Sequence, residues 1–165
     1  MTSNYAKRML SVAGLMILMG LLPRMVAAGE INTGYFGNVA IHGYDPVAYF
    51  TQQKSMKGLE ENSLDWLGAT WLFATNEHRD LFQASPVKYA PEYGGHCADG
   101  VAYGDYTANI DPEAWRIIDG KLFLNYDPGS ADEHENAPGM REKAEANWPE
   151  YRARLLANKS ASLHE

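Results

Sequence analysis

The chain begins with an uncharged run from Met9 to Leu22, and beyond Gly29 the pattern breaks into short segments separated by Gly, Pro and Asp. Gly29 to about Gly43 is a glycine-rich lead-in with β-prone residues at Tyr35-Phe36 and Val39-Ala40-Ile41. Tyr44 to Phe50 reads as a turn feeding a short extended or helical segment, and 51–62 as a polar surface loop. Leu64–Leu67 and Thr70–Phe73, joined at Gly68-Ala69, predict a hairpin with Trp71 and Phe73 on one face and Leu72 on the other. Thr75 is placed to cap a helix in which His78, Leu81 and Phe82 share a face. Ser85-Pro86 opens another helical turn, since Pro is tolerated at the first helical position. Gly94-Gly95 breaks the chain before a short helix over His96 to Tyr103. Trp115–Ile118 and Lys121–Tyr126 flank Asp119-Gly120, a strong hairpin signal. Pro128 to Asn136 reads as a polar loop. A terminal helix from about Pro138 carries Met140, Ala144 and Trp148 at four-residue spacing, is interrupted at Pro149, and continues its stripe with Tyr151 and Leu155. The fold class expected is α+β, with small antiparallel hairpins, several short helices and a C-terminal helix packed together. One shared core is expected to hold Trp71, Phe73, Phe82, Tyr89, Trp115, Leu122, Leu124 and Trp148.

The uncharged run follows Lys7-Arg8 and is closed by Pro23, and Val26-Ala27-Ala28 supplies small residues where a signal peptidase reads. Its 14 residues fall short of the roughly 20 that a membrane-spanning helix needs. Residues 1–28 are therefore expected to be a cleavable signal, of Sec type because no twin arginine is present. Residues 29–157 then form a single domain and 158–165 a polar tail. No stable membrane anchor is expected after cleavage, and the mature protein is expected in the periplasm or secreted.

Composition sharpens this picture. The signal holds Lys7, Arg8 and Arg24 and no acid, so its removal takes the net charge down by three, from −7 to −10. That charge argues against nucleic acid and anionic membranes as partners. Cys97 is the single cysteine. An exported chain with one cysteine makes no internal disulfide, so its stability must come from packing.

Phosphate-binding loops, a Ser-His-Asp order and H-E-x-x-H are all missing, and one cysteine rules out C-x-x-C. Cys97 is the leading candidate for chemistry. The flexible Gly94-Gly95 entry lets the backbone approach something closely. At a helix N-terminus the thiol pKa is expected to fall below the free value of about 8.5, while burial opposes that. The other reading of Cys97 is a small buried apolar residue. His78 on its half-apolar face and His96 beside the thiol are candidate ligands. Each also reads as a partly buried, hydrogen-bonded histidine. Asp45 before Pro46 reads as a turn residue capping nearby N–H groups, or as a hard ligand or base near Cys97. His42 reads as a loop residue, and His134 and His164 as solvent-exposed.

The motifs in order form a recognisable set. They are Gly43-Tyr44-Asp45-Pro46-Val47-Ala48-Tyr49-Phe50, Gly68-Ala69-Thr70-Trp71-Leu72-Phe73-Ala74, Arg79-Asp80-Leu81-Phe82, Lys88-Tyr89-Ala90-Pro91 and Tyr93-Gly94-Gly95-His96-Cys97-Ala98. Asp111-Pro112-Glu113-Ala114-Trp115, Asp119-Gly120-Lys121-Leu122 and Ala146-Asn147-Trp148-Pro149 extend it. Over about residues 31 to 150 the chain resembles a YHS domain, closest to the exported YHS domain-containing (seleno)protein branch. The resemblance implies a small metal-associated module of the kind found beside copper and heavy-metal transport machinery. Metal-binding members carry three cysteines whose positions are here Ala48, Ala74 and His78. Some exported relatives carry selenocysteine, and the resemblance implies Cys97 as the equivalent position.

The leading expectation is an exported YHS-like module that binds a soft metal ion, copper first, or does thiol redox chemistry through Cys97. The candidate metal ligands are Cys97, His78, His96 and Asp45, because thiolate and imidazole suit Cu(I). So sparse a donor set leaves room for a ligand from a periplasmic protein partner. One alternative is a thiol peroxidase-like enzyme with Cys97 as nucleophile, turned over by an external thiol. The other is a non-catalytic protein-interaction domain with a structural cysteine. Mass spectrometry of the natively produced protein is expected to show a chain starting at Gly29 or within a few residues of it. An intact Met1 in the mature pool would overturn the signal-peptide reading.

Overall fold

The computed structural model describes residues 30–34, 37–104 and 109–162, so the export segment, Tyr35-Phe36 and His164 lie outside the described residues. A 3-10 turn at Ala40–Gly43 leads into α1 (Pro46–Thr51), β1 (Leu59–Trp66) and β2 (Ala69–Phe73). Next come α2 (Asn76–Ala84), α3 (Pro86–Tyr89), a 3-10 turn at Glu92–Gly95 and α4 (Ala98–Tyr103). The chain finishes with β3 (Asp111–Ile118), β4 (Lys121–Asn125), α5 (Pro128–Asn136) and α6 (Met140–Ser162). The strands form two separate antiparallel hairpins, β1–β2 and β3–β4, and the helices pack around them. This is the α+β architecture expected.

Both hairpins close with two left-handed residues, the backbone that matches the natural twist of paired strands. Asp119 (φ 52°) and Gly120 (φ 75°) do so where expected. The first turn lies one residue earlier than the sequence suggested, at Leu67 (φ 55°) and Gly68 (φ 74°), with Ala69 paired to Trp66. Strand β1 starts at Leu59, inside the segment expected to be loop. Of residues 59–62 only Asn62 is buried, so no apolar alternation marked that half of the strand. Trp71 and Phe73 are buried and Leu72 faces the other way, as the period of two requires.

Three further expectations are corrected. Pro128–Asn136 is a helix and not a loop: Asp127 accepts the Ser130 N–H at 2.7 Å and Pro128 takes the first helical position. Pro149 does not interrupt the last helix, which runs on to Ser162 through the start of the segment assigned to the tail. The proline lies on the exposed face, where water can take up the carbonyl it frees. His134 is buried and not exposed, because α5 turns Ala131 and His134 inward together.

The core consists of two clusters rather than one. The first gathers Trp71, Phe73, Phe82, Tyr89, Leu122 and Leu124, with Trp115 packed against it at partial burial. Trp148 belongs to the second, with Tyr93, Val101, Phe123, Met140 and Tyr151. The reason is β4, which is buried on both faces. Leu122 and Leu124 point into the first cluster, while Phe123 points into the second. Helix α6 closes the second cluster with its expected stripe of Met140, Ala144, Trp148 and Tyr151. It is further fixed by Asn147, which donates to the carbonyls of Val101 (3.1 Å) and Ala102 (2.9 Å) at the end of α4.

His134 lies in this second region, 5.0 Å from Phe123 and 6.4 Å from Tyr93 between ring centres, and neither ring nitrogen has a hydrogen-bond partner. Burial, with Arg141 adding to it, pulls its pKa down to about 4. The unfolded chain binds that proton near pH 6.5. Stability is therefore complete above about pH 6.5 and falls as the pH drops toward about 4, by up to roughly 1.4 kcal/mol per pH unit for this group. His134→Phe keeps a ring in place and is expected to flatten the fall in urea midpoint between pH 6.5 and 4.5. An unchanged slope in that variant would show that His134 is not the buried neutral group described.

Candidate functional site

Asp45 is fully buried and every lone-pair direction of its carboxylate is in use. As the N-cap of α1 it accepts at Oδ1 from the N–H groups of Val47 (2.8 Å) and Ala48 (3.3 Å). At Oδ2 it accepts from the Ala74 N–H (2.8 Å) at the end of β2 and from His78 Nδ1 (2.6 Å) on α2. His78 is presented by its own cap, because the Thr75 hydroxyl accepts the His78 N–H at 3.1 Å. On the far side of the ring, Nε2 lies 3.1 Å from the Thr51 hydroxyl, which is also 3.1 Å from the Val47 carbonyl. Thr51 can donate to a neutral ring, or accept from a protonated one while donating to Val47. The chain Asp45–His78–Thr51 is thus satisfied in either state, and its polar atoms are spent on joining α1, β2 and α2.

Cys97 lies elsewhere. His96 is extended, and Cys97 after it forms a parallel bridge to Leu124 alongside β4. Neighbours on an extended chain point to opposite faces. Cys97 accordingly enters the first cluster, while the His96 ring enters the second region, 5.6 Å from Tyr151 and 6.5 Å from Trp148. The thiol is the N-cap of α4, as the sequence suggested, and its sulfur accepts the Gly100 N–H at 3.4 Å. Its pKa nevertheless rises. Burial is the largest influence, and the N–H groups of Gly100, Tyr126 and Asp99 offset it only in part. The expectation of a lowered pKa is therefore corrected: a six-residue helix end does not outweigh a nearly complete loss of solvent. Burial pulls the His96 pKa down to about 4, with the Glu30 backbone beside the ring opposing it.

Of the four candidate ligands, the structure brings together Asp45 and His78 and sends Cys97 and His96 to different sides of β4. Among the described residues no three His, Cys, Asp or Glu side chains form a group that could hold a metal ion. Asp45 caps N–H groups as the turn reading had it, and its side-chain hydrogen bonds go to Val47, Ala48, Ala74 and His78. Gly94-Gly95 does permit a close approach, but to the chain itself. A Cβ at Gly94 (φ 62°) would sit 2.1 Å from the Glu30 carbonyl oxygen, and one at Gly95 (φ 80°) 2.5 Å from Ile41 Cγ2. Sequence reasoning missed Thr51. The one signal for it was its position six residues after the capping Asp45, at the other end of the same short helix.

No family model, no curated protein and no solved structure matches this chain.

Removing the Asp45 carboxylate leaves three backbone N–H groups and one imidazole N–H without their acceptor. Each such loss inside a protein costs about 1–3 kcal/mol. Asp45→Ala is expected to lower stability by at least about 3 kcal/mol in denaturant titration, with Asp45→Asn recovering part of the loss. A loss below about 1 kcal/mol would show that the carboxylate does not hold these elements together.

Proposed function

We propose that this chain is exported with removal of residues 1–28 and works in the periplasm or as a secreted protein, as a YHS-like, non-catalytic binding module in which Cys97 is structural. The observation that carries the reading is the thiol: 3% exposed, packed in the first cluster, capping α4, and with its pKa pushed up by burial. A nucleophilic or redox-sensing cysteine needs the opposite environment, accessible and electropositive. The YHS likeness rests on the ordered motifs from Gly43 to Pro149. The first described residues, just beyond the proposed cleavage point, are bound into the fold. Asn32 donates its N–H to the Gly94 carbonyl (2.9 Å) and its side chain to that of Gly95 (3.0 Å), and buried Glu30 pairs with Arg152 of α6.

The soft-metal reading, with copper through Cys97, His78, His96 and Asp45, has less support, because two of the four are bonded to each other and the other two face apart. The thiol peroxidase reading is disfavoured by the raised pKa. Alkylation of Cys97 distinguishes the three. Modification is expected only after denaturation, with no copper retained by the natively exported protein. Cys97→Ala is expected to remain folded, at a loss of at most about 3 kcal/mol. Rapid alkylation of the native protein below pH 8 would favour the peroxidase. Stoichiometric copper that disappears in Cys97→Ser would favour the metal module.

A further inference from the structure

A groove of about 530 Å³ opens on the side of the first hairpin away from Trp71 and Phe73, between the Ala40–Gly43 turn and the segment before β1. Its size is that of a small-molecule site. Three of its lining residues, Gly34, Gly43 and Gly58, present bare backbone. A Cβ at Gly43 would lie 3.3 Å from Leu72 Cδ1 and 3.5 Å from Val39 Cγ1, and one at Gly34 would lie 3.6 Å from the His42 ring. A Cβ at Gly58 would fall 2.3 Å from the Leu72 carbonyl carbon, so β2 approaches too closely there for any side chain, while Gly34 and Gly43 leave His42, Leu72 and Val39 to line the groove.

The backbone that builds this wall is strained. Ile41 (φ 42°), His42 (φ 57°) and Gly43 (φ 75°) are left-handed in succession, and for a β-branched residue that conformation is a true outlier. The conformation buries Ile41 completely and turns the adjacent His42 to the groove. Strain of this kind persists where the surroundings over-determine it, and it concentrates at binding sites. Across the groove, Lys57 is exposed yet held at two points. Its Nζ donates to the His42 carbonyl at 2.8 Å and lies 4.2 Å from the centre of the Tyr44 ring. None of the ion pairs among the described residues involves it. Its remaining N–H donors are thus fixed beside the groove without a counter-ion. Burial and the neighbouring Lys57 lower the His42 pKa, with Asp111 opposing, so the imidazole is a neutral donor or acceptor. Val39, 37% exposed, and Leu72 supply an apolar wall.

We infer that this groove binds a small organic monocarboxylate, with the carboxylate on Lys57 and His42 and a short apolar tail along Val39 and Leu72. One fixed ammonium, with Asp111 close by and a strongly acidic protein around it, matches a single negative charge. A phosphate dianion calls for more cations or a longer helix N-terminus than the groove offers. The inference deepens the reading of the domain as a binding module, and its test does not involve Cys97, so either can fail alone.

Hexanoate is the probe, added to isotope-labelled, natively exported protein, with amide shifts of Gly34, His42, Gly43 and Gly58 as the readout. Saturable shifts at these amides are expected below about 10 mM, with hexanol and inorganic phosphate producing none. Lys57→Gln keeps the exposed stem and is expected to weaken hexanoate at least about tenfold while leaving thermal unfolding unchanged. Leu72→Ser, which removes the apolar wall, is expected to weaken hexanoate but not acetate. No saturable shift with hexanoate, equal binding of hexanol or phosphate, or an unchanged Lys57→Gln would each overturn the assignment.

Discussion

The first half of this domain is organised by one buried carboxylate. Asp45 sits where the chain enters α1, and its two oxygens draw in N–H groups from α1, from the end of β2 and from the His78 ring on α2. A charged group without solvent is tolerated only when such donors replace its hydration. The consequence is directional. Hydrophobic contacts would let the first hairpin slide against the helices, whereas four aimed hydrogen bonds admit one arrangement. The aromatic packing of Phe82 on Trp66, Trp71 and Phe73, at ring separations of 5.1 to 5.4 Å, is built on that arrangement.

The second half is organised by a strand with no solvent face. β4 supplies Leu122 and Leu124 to one cluster and Phe123 to the other, and the 96–97 segment beside it follows the same alternation. That parity decides the fate of the two residues most suggestive in the sequence. A one-residue shift would exchange them, bringing His96 to the first cluster and the thiol to α6. The N-terminal segment at Glu30 to Asn32 fixes the register from the other side, by lying against glycines that admit nothing larger.

Much of this was legible from local chemistry. Asp119-Gly120 announced its hairpin, Thr75 its helix, and the spacing of Met140, Ala144, Trp148 and Tyr151 the inner face of α6. These signals are local because turn geometry, capping and periodicity are properties of a few adjacent residues. What could not be read needed long-range information. β1 between Leu59 and Asn62 is held by pairing to β2 and carries no apolar alternation of its own. α5 looked polar because only Ala131 and His134 face inward, and its start is marked only by the Asp127 cap and Pro128 at the first helical position. The division into two clusters was invisible, since Leu122-Phe123-Leu124 reads equally well as a strand buried against one layer or between two. The partnership of Asp45 with His78, 33 residues apart, had no sequence marker either.

The candidate site shows how one signal can have two physical sources. Gly94-Gly95 before a lone cysteine suggests a backbone that makes room for a ligand, and room is indeed required there. It is filled by the Glu30 carbonyl and the Ile41 side chain, so the glycines are explained by the packing of the chain on itself. The helix end beside Cys97 offers its sulfur one N–H at 3.4 Å, and the same packing that demands the glycines strips the thiol of water. Where burial and a short helix compete, burial prevails, because an ion's hydration is worth more than the partial charge of a single helical turn. By contrast, the glycines at 34 and 43 have no main-chain atom within contact range of the missing side chain, only the edges of His42, Leu72 and Val39. The two sets differ in what occupies the space next to them. The first is closed by the Glu30 main chain and the Ile41 side chain, whereas the second lies against side-chain edges that line the groove beside the Lys57 ammonium, and the proposals of a structural thiol and a binding groove rest on that difference.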